Sequence, residues 1–584
     1  MRLTEALELA GGPTTGPVRP ACWAAILALA LLACTKPPAT QTVGTTPPSK
    51  RLAASGPANG PKSSPRLVVS VVFDQLGSDT LARHIGLLSE RGAVRTGIER
   101  GFFAERVRYT HATTLTAPNH AAIYTGATPS ASGITGNLLR TPDGKARTSV
   151  DDGTHKVHNS KPGVFAGPAA LRVDTVGDAL KRHTNGRGKV VSLSLKDRAA
   201  ILPAGKHPDM AIWYDTAVPG FTTSTYYATE LPAWLARFKE EYPVADLLQP
   251  WVPEAPQELS RHLGADAAPG EGHYHGWTDT FPHDPNESTR PYGVLRLTPG
   301  LTDHLLSLAS AAIDAYQLGA DEVPDLLAIS ISGPDYVGHV FGPDSWEYVD
   351  HLRRADAALG RFLDALSGHL SVAALITSDH GVCRLPEELS DGHAHPRVTP
   401  RALREAAEGA IRRELGSLVG AGPWTLAFAP PYLYLTEAAR THPKRDAIVA
   451  AAVRGVSEVT HTHAAFDVQQ LVRAAKTSLE RDIAASIHPE ASGDIYVVHE
   501  RHTIDDLGIV QQAGTTHGSP WDYDREVPGI VWGPGVPRGR VTSPLQQTRV
   551  AATLASLLGI PAPDPQAPPP LYELVNDRTP SPAR

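Results

Sequence analysis

The chain has 584 residues, 41% of them hydrophobic and 20% charged, with a formal net charge of −7. This is ample apolar material for a large core, and it excludes a fully disordered chain, a collagen-like chain and a multi-span membrane protein. The negative balance supplies no polybasic surface, so nucleic acid is not expected as a specific partner.

In chain order, the first feature is an apolar run from Ala21 to Ala33, with Arg19 before it and Cys34 after it. The run is shorter than the ~20 residues a membrane span needs. A charged flank, a short apolar stretch and a small residue before the cut read as a secretory signal. Leu31-Leu32-Ala33-Cys34 resembles a bacterial lipoprotein signal, in which the cysteine carries the lipid; an ordinary signal with a cysteine at that place is the plainer alternative. Residues 1–34 are therefore expected to be a lipoprotein-type signal, and residues 35–66, rich in Pro, Ser and Thr, a disordered tether. The expectation is export, with a lipid anchor at Cys34 on the periplasmic face or cell envelope. The three cysteines are Cys22, Cys34 and Cys383. Cleavage removes the first and lipidation occupies the second, so no disulfide framework is expected.

Short β-branched apolar runs follow at Leu67–Phe73, Val190–Leu195, Leu326–Ile331, Val372–Thr377 and Gly529–Trp532. Each has the length and composition of a buried strand. Helical patterns lie between them at Thr302–Tyr316, Asp344–Leu366 and Arg549–Leu558, the second with Asp344 as its expected cap and Glu347 three residues on. The alternation predicts a doubly wound α/β fold over residues 67–560, with a mostly parallel central sheet and helices on both faces. Residues 216–295 and 386–510 interrupt it and read as cap-like insertions. Residues 561–584 read as an extended, Pro-rich tail.

In a doubly wound sheet, ligands bind at the carboxyl ends of the strands. Potential ligands fall there. Asp74 follows the first strand, Asp335 and His339 follow the strand ending at Ile331, and Asp379 and His380 follow the one ending at Thr377. His517 precedes the last strand. Each alone is an ordinary surface or core residue; together they form a mixed oxygen and nitrogen set suited to zinc or a similar divalent ion. Thr116, in Thr114-Leu115-Thr116-Ala117-Pro118-Asn119-His120, is expected at a helix N-terminus, a position that favours anions. Lys196 and Arg198 directly follow a strand. Alternation along an extended segment would point both the same way, and two fixed cations favour the dianion of a phosphate monoester over a diester.

The ordered segments VVFDQL (71–76), TLTAPNHAAIYTGATPSASGITGN (114–137), SLKDR (194–198), PDYVGHVFGP (334–343), TSDHG (377–381) and THGSPWDYDREVPGIVWG (516–533) resemble the alkaline phosphatase superfamily. The closest pattern is its threonine-nucleophile branch, which includes threonine-type alkaline phosphatases and nucleotide pyrophosphatase/phosphodiesterases. The resemblance implies Thr116 as the phosphorylated nucleophile. It implies one zinc on Asp74, Thr116, Asp379 and His380, and a second on Asp335, His339 and His517. It also implies that Asn137, Lys196 and Arg198 hold phosphoryl oxygens, and Lys196 with Arg198 match the monoesterases.

The motif Thr-Ala-Pro-Asn-His departs from the usual monoesterase form, Thr-Gly-Pro-Gly-His, toward the diesterase form, Thr-Phe-Pro-Asn-His. The expected function is hydrolysis of small phosphate monoesters. A nucleotide phosphodiesterase is the alternative, and a catalytically silent metal- or phosphate-binding lipoprotein is a third reading. A monomer is slightly favoured. The pair His393 and His395, and the cluster of Asp151, Asp152, His155 and His158, are weaker candidates, with Asn119 read as a helix-start residue and Cys383 as a small buried one.

Overall fold

The first strand of the central sheet, β1 (Leu67–Phe73), is buried along its whole length. Both faces are covered, so its β-branched side chains alternate between two cores rather than between core and water. Val69, Val71 and Phe73 join one apolar cluster, whereas Val68 and Val72 join the other. Burial of each such side chain contributes roughly 1.5–3 kcal/mol. The computed structural model describes residues 64–140, 146–389, 396–510 and 512–575. The signal, most of the tether, and His393 and His395 lie outside the described residues.

The other strands of this sheet are β2 (Phe102–Arg108), β3 (Val190–Ser194), β4 (Met210–Asp215), β5 (Gly220–Thr222), β6 (Asp325–Ile331), β7 (Val372–Thr377), β8 (Glu526–Trp532), β9 (Gly539–Val541) and β10 (Leu545–Gln546). Their spatial order is β9-β2-β8-β7-β1-β6-β3-β4-β5, with β10 also on β2. The run β7-β1-β6-β3-β4 is parallel throughout. Strand β8 is antiparallel to both neighbours. Its start therefore lies at the same edge as the carboxyl ends of the parallel strands, which brings the segment before it to that edge too.

Helices cover both faces. The site uses α1 (Thr116–Thr125) and α2 (Asp197–Ala204), together with α3 (Pro299–Tyr316), α4 (Gly333–Phe341), α5 (Trp346–Ser367) and α6 (Arg549–Leu557). Helices α3 and α5 pack in one core, and α1 and α6 in the other. The cap of α5 is Ser345, whose side chain accepts the Tyr348 N–H, and not Asp344. Asp344 is instead held by two arginines, Arg83 and Arg384, at 2.8 and 2.6 Å, and by the His84 ring at 2.9 Å.

Residues 216–295 contain short helices, and their buried Trp251 donates from Nε1 to Asp350 Oδ2 on α5 at 2.8 Å. Residues 386–510 carry a separate four-stranded sheet in the order Thr425–Ala429, Tyr432–Leu435, Ile495–His499, Thr462–Asp467. They reach the loop before α1, where Ser486 Oγ accepts the Ala112 and Thr113 N–H groups at 2.8 and 3.1 Å. The tail does not run free at its start. Leu571 is buried, and its N–H donates to Thr553 Oγ1 on α6 at 2.9 Å.

Candidate active site

The predicted metal ligands gather at one edge of the sheet, most of them after a strand and His517 before one. Asp74 is the residue after β1, and its N–H donates to the Ile331 carbonyl that closes β6. Asp335 and His339 lie on α4, one turn apart. Asp379 and His380 follow β7, and His517 precedes β8. Thr116 is the first residue of α1, whose ten residues are all buried.

Among the described residues, two groups are close enough to hold a metal ion: Asp74 with Asp379 and His380, and Asp335 with His380 and His517. His339 Nε2 and His517 Nε2 both stand 3.3 Å from Asp335 Oδ1. The His380 and His517 rings stack with centroids 3.5 Å apart, so His380 borders both groups.

The histidines are oriented by the backbone. His339 Nδ1 meets the Thr515 carbonyl at 2.9 Å, His517 Nδ1 the Thr114 carbonyl at 2.7 Å, and His380 Nδ1 the Gly381 carbonyl at 3.0 Å. A carbonyl only accepts, so each Nδ1 carries a proton, which leaves Nε2 as the nitrogen that would bind a metal. Asp74 Oδ1, Asp379 Oδ2 and His380 Nε2 are buried without a hydrogen bond, and Asp74 Oδ2 meets only the Lys196 ammonium. Buried acceptors without donors fit a divalent cation, and the donor set suits zinc.

One ammonium stands among these carboxylates. Lys196 Nζ is 2.6 Å from Asp74 Oδ2, 2.5 Å from Asp335 Oδ2 and 3.4 Å from Thr116 Oγ1. Burial works against its charge, but Asp335 and Asp74 overcome that and raise its pKa. Burial alone would also raise Asp335; Lys196 and His339 hold it well below the usual carboxylate range. Asp74 is pushed well up by burial and by its neighbours Asp335 and Asp379. Burial, with Asp335 adding to it, likewise raises Asp379, to about 7. Three buried carboxylates thus share too little positive charge.

Lys196 and Arg198 do not sit on an extended segment. Lys196 caps α2 and Arg198 lies in its first turn, because the chain turns into a helix directly after β3. Both still line one cavity of about 390 Å³, with Phe165, Trp213, Arg296 and Tyr336 on its other walls. Asn137 Oδ1 accepts the Ala117 N–H at 3.0 Å, which holds it against the first turn of α1.

Of the weaker candidates, Asp151 lines the same cavity, and the loop that carries it is held by local hydrogen bonds. Asp152 Oδ1 accepts the Thr154 and His155 N–H groups, and His158 Nε2 meets the Ala228 carbonyl. Asp151 Oδ1 accepts the Gly153 N–H. Cys383 is a free, buried thiol.

The structure adds Gln75, which the sequence reading passed over. Its N–H donates to Asp379 Oδ1 at 3.2 Å and its Nε2 to Asp335 Oδ1 at 3.0 Å, so it bridges the two groups. A Cβ at position 338 would lie 1.7 Å from Gln75 Oε1, which explains Gly338 on α4. His120 also belongs here: its ring stands 3.3 Å from Asp379 Oδ2 and meets Ser330 Oγ at 3.0 Å. Its place one turn after Thr116 was the available signal.

The family model for type I phosphodiesterase / nucleotide pyrophosphatase matches residues 68–527. The chain belongs to this family. It is an alkaline phosphatase-like hydrolase of the superfamily's threonine-nucleophile branch. Alkaline phosphatase PhoV of Synechococcus elongatus is 31% identical over 516 residues, covering 85% of this chain and 91% of its own. Alkaline phosphatase PafA of Elizabethkingia meningoseptica is 30% identical over 533 residues, covering 88% and 94%. A protein of Myroides odoratus named a calcium-transporting ATPase is 30% identical over 526 residues, covering 88% and 95%. The crystal structure of wild-type PafA superposes with a TM-score of 0.80 at 27% identity, covering 87% of this chain and 99% of that one. The α/β architecture with a mostly parallel sheet is thus that of PafA, and phosphate monoester hydrolysis is supported at the level of the family. Among the described residues, no helix is long and apolar enough to cross a membrane.

Proposed function

We propose that this chain hydrolyses small phosphate monoesters through a phosphothreonine formed on Thr116. The observation that carries the reading is the position of Thr116 Oγ1, at the start of a buried helix and 3.4 Å from the Lys196 ammonium. A helix N-terminus and a fixed cation both favour a phosphoryl group at that point.

Asp74, Thr116, Asp379 and His380 would hold one divalent ion, and Asp335, His339 and His517 the other, zinc being favoured by the ligand types. When bound, such ions supply positive charge at attacking and leaving oxygens and lower the pKa of a coordinated hydroxyl. Thr116 Oγ forms the new bond to phosphorus while the bond to the leaving alkoxide breaks, and the leaving group departs as its alcohol. Water then attacks phosphorus, the Thr116 bond breaks, and inorganic phosphate leaves. Asn137, with its carbonyl oxygen engaged by Ala117, turns its NH2 toward a phosphoryl oxygen. Lys196 and Arg198 compensate the second negative charge that a monoester carries and a diester lacks. The cavity beside them gives the leaving group room.

We place this activity outside the cytoplasm, with a lipid at Cys34. The phosphodiesterase alternative rests on the Ala117-Pro118-Asn119 variant and on the phosphodiesterase family model that the chain matches; the Lys196 and Arg198 pair favours the monoester reading. The test is acid quenching during turnover of a labelled aryl phosphate: label on Thr116 supports the reading, and steady release of phosphate with no label on the chain contradicts it.

A further inference from the structure

The segment from Ser378 to Gly381 carries two of the proposed ligands, yet it belongs to no helix or strand. Its four carbonyls are instead met by side chains, one after another. Tyr109 O–H donates to the Ser378 carbonyl at 2.9 Å, and Asn119 Nδ2 to the Asp379 carbonyl at 2.5 Å. Ser378 O–H donates to the His380 carbonyl at 2.8 Å, and His380 Nδ1 to the Gly381 carbonyl at 3.0 Å. Buried carbonyls need such partners where no sheet supplies them.

Asn119 is the one member of this set that comes from the nucleophile helix. It is fully buried, and its own amide is oriented from behind: His111 Nε2 lies 2.7 Å from Asn119 Oδ1. The Nδ2 end is thereby turned toward Asp379, since an amide oxygen accepts and the NH2 donates. Asn119 is therefore more than a helix-start residue. It ties α1, and with it Thr116, to the backbone of Asp379 and His380.

We propose that Asn119, oriented by His111, is a positioning residue that sets the Asp379–His380 segment for metal binding. Glycine at this place would leave the Asp379 carbonyl without its donor and the His111 ring without its acceptor. Partners of this kind outside the ligand set typically change metal affinity by about 10–100-fold. The inference rests on the metal-site reading above.

The experiment is zinc affinity of the metal-free chain, by competition with a chromogenic chelator, with the metal-free melting temperature measured in parallel. Asn119→Ala and Asn119→Gly should each weaken zinc binding by about tenfold or more. Tyr124→Phe, on the same helix, is the control: it removes the bond from Tyr124 O–H to Ser70 Oγ on β1 and should leave zinc affinity unchanged. Zinc affinity in the Asn119 variants equal to that of the parent chain overturns the proposal, whatever happens to the melting temperature. Should both Asn119 variants fail to fold, His111→Ala takes their place; it should also weaken zinc binding, and unchanged affinity overturns the proposal. A parent chain that binds no zinc contradicts the metal-site reading itself, which keeps the two failures apart.

Discussion

Lys196 Nζ lies 2.5 Å from Asp335 Oδ2 while reaching Asp74 on its other side at 2.6 Å. A carboxylate just after β1 and one on α4 thus share one ammonium, and the nucleophile candidate stands beside it. The arrangement joins three functions in one place: ligands for cations, a hydroxyl to be phosphorylated, and a cation for the phosphoryl group. It also explains why Lys196 follows β3, the neighbour of β6, at the edge where the ligand-bearing segments end.

The first prediction concerns the hydroxyl. Thr116→Ala should lower kcat/KM on an aryl phosphate by roughly 10³-fold or more, because it removes the hydroxyl beside Lys196 that forms the covalent bond. Thr116→Ser should keep measurable turnover and accept label on quenching. Steady-state kinetics of the two variants check this; an alanine variant as active as the serine one would remove Thr116 from the nucleophile's role.

The second concerns the ions. Stripping with a chelator should abolish turnover and lower the melting temperature, since ligands bound only to the native state stabilise it by about 2.7 kcal/mol at one hundred times their Kd. The excess of carboxylate charge around Asp74, Asp335 and Asp379 is then uncompensated. Calorimetry with and without zinc reads this directly, and an identical melting temperature in both would count against the proposed ligand set.

The third concerns stability away from the site. Asp344 gathers Arg83, His84 and Arg384, and these partners hold its carboxyl below its ordinary value although burial opposes it. The unfolded chain then binds the proton more readily than the native one. The contribution is therefore present above the unfolded pKa of about 3.9 and is lost as pH falls through that value toward the native one. Asp344→Asn should cost about 1–3 kcal/mol at pH 7, discounted for the partly exposed arginines. The gap between parent and variant in denaturant titrations should close below about pH 4. A gap that widens in acid would have the wrong sign.

Much of the central sheet was legible because β1 and β7 are continuous apolar runs, which only strands buried on both faces require. Strand β2 was missed: Glu105 and Arg106 interrupt its apolar pattern. The direction of β8 has no signature in composition, so the sequence order of motifs, rather than geometry, pointed to His517. The α5 cap was displaced by one residue because Ser345 and Asp344 are both good caps, and the surrounding cations decide between them. Of the site, the ligands were readable from their places after strands. Gln75 and Asn119 were not, because their roles depend on contacts about 260 or more residues away in sequence.

The central claim is that Lys196 and Arg198 read the dianion of a monoester. The most direct measurement is kcat/KM on an aryl phosphate monoester and on its methyl diester, for the parent chain and for the Lys196→Ala/Arg198→Ala double variant. The account predicts a large monoester preference in the parent and a loss on the order of several kcal/mol of transition-state stabilisation for the monoester in the variant, with a much smaller loss for the diester. Equal losses on both substrates, or a parent chain that prefers the diester, would contradict it.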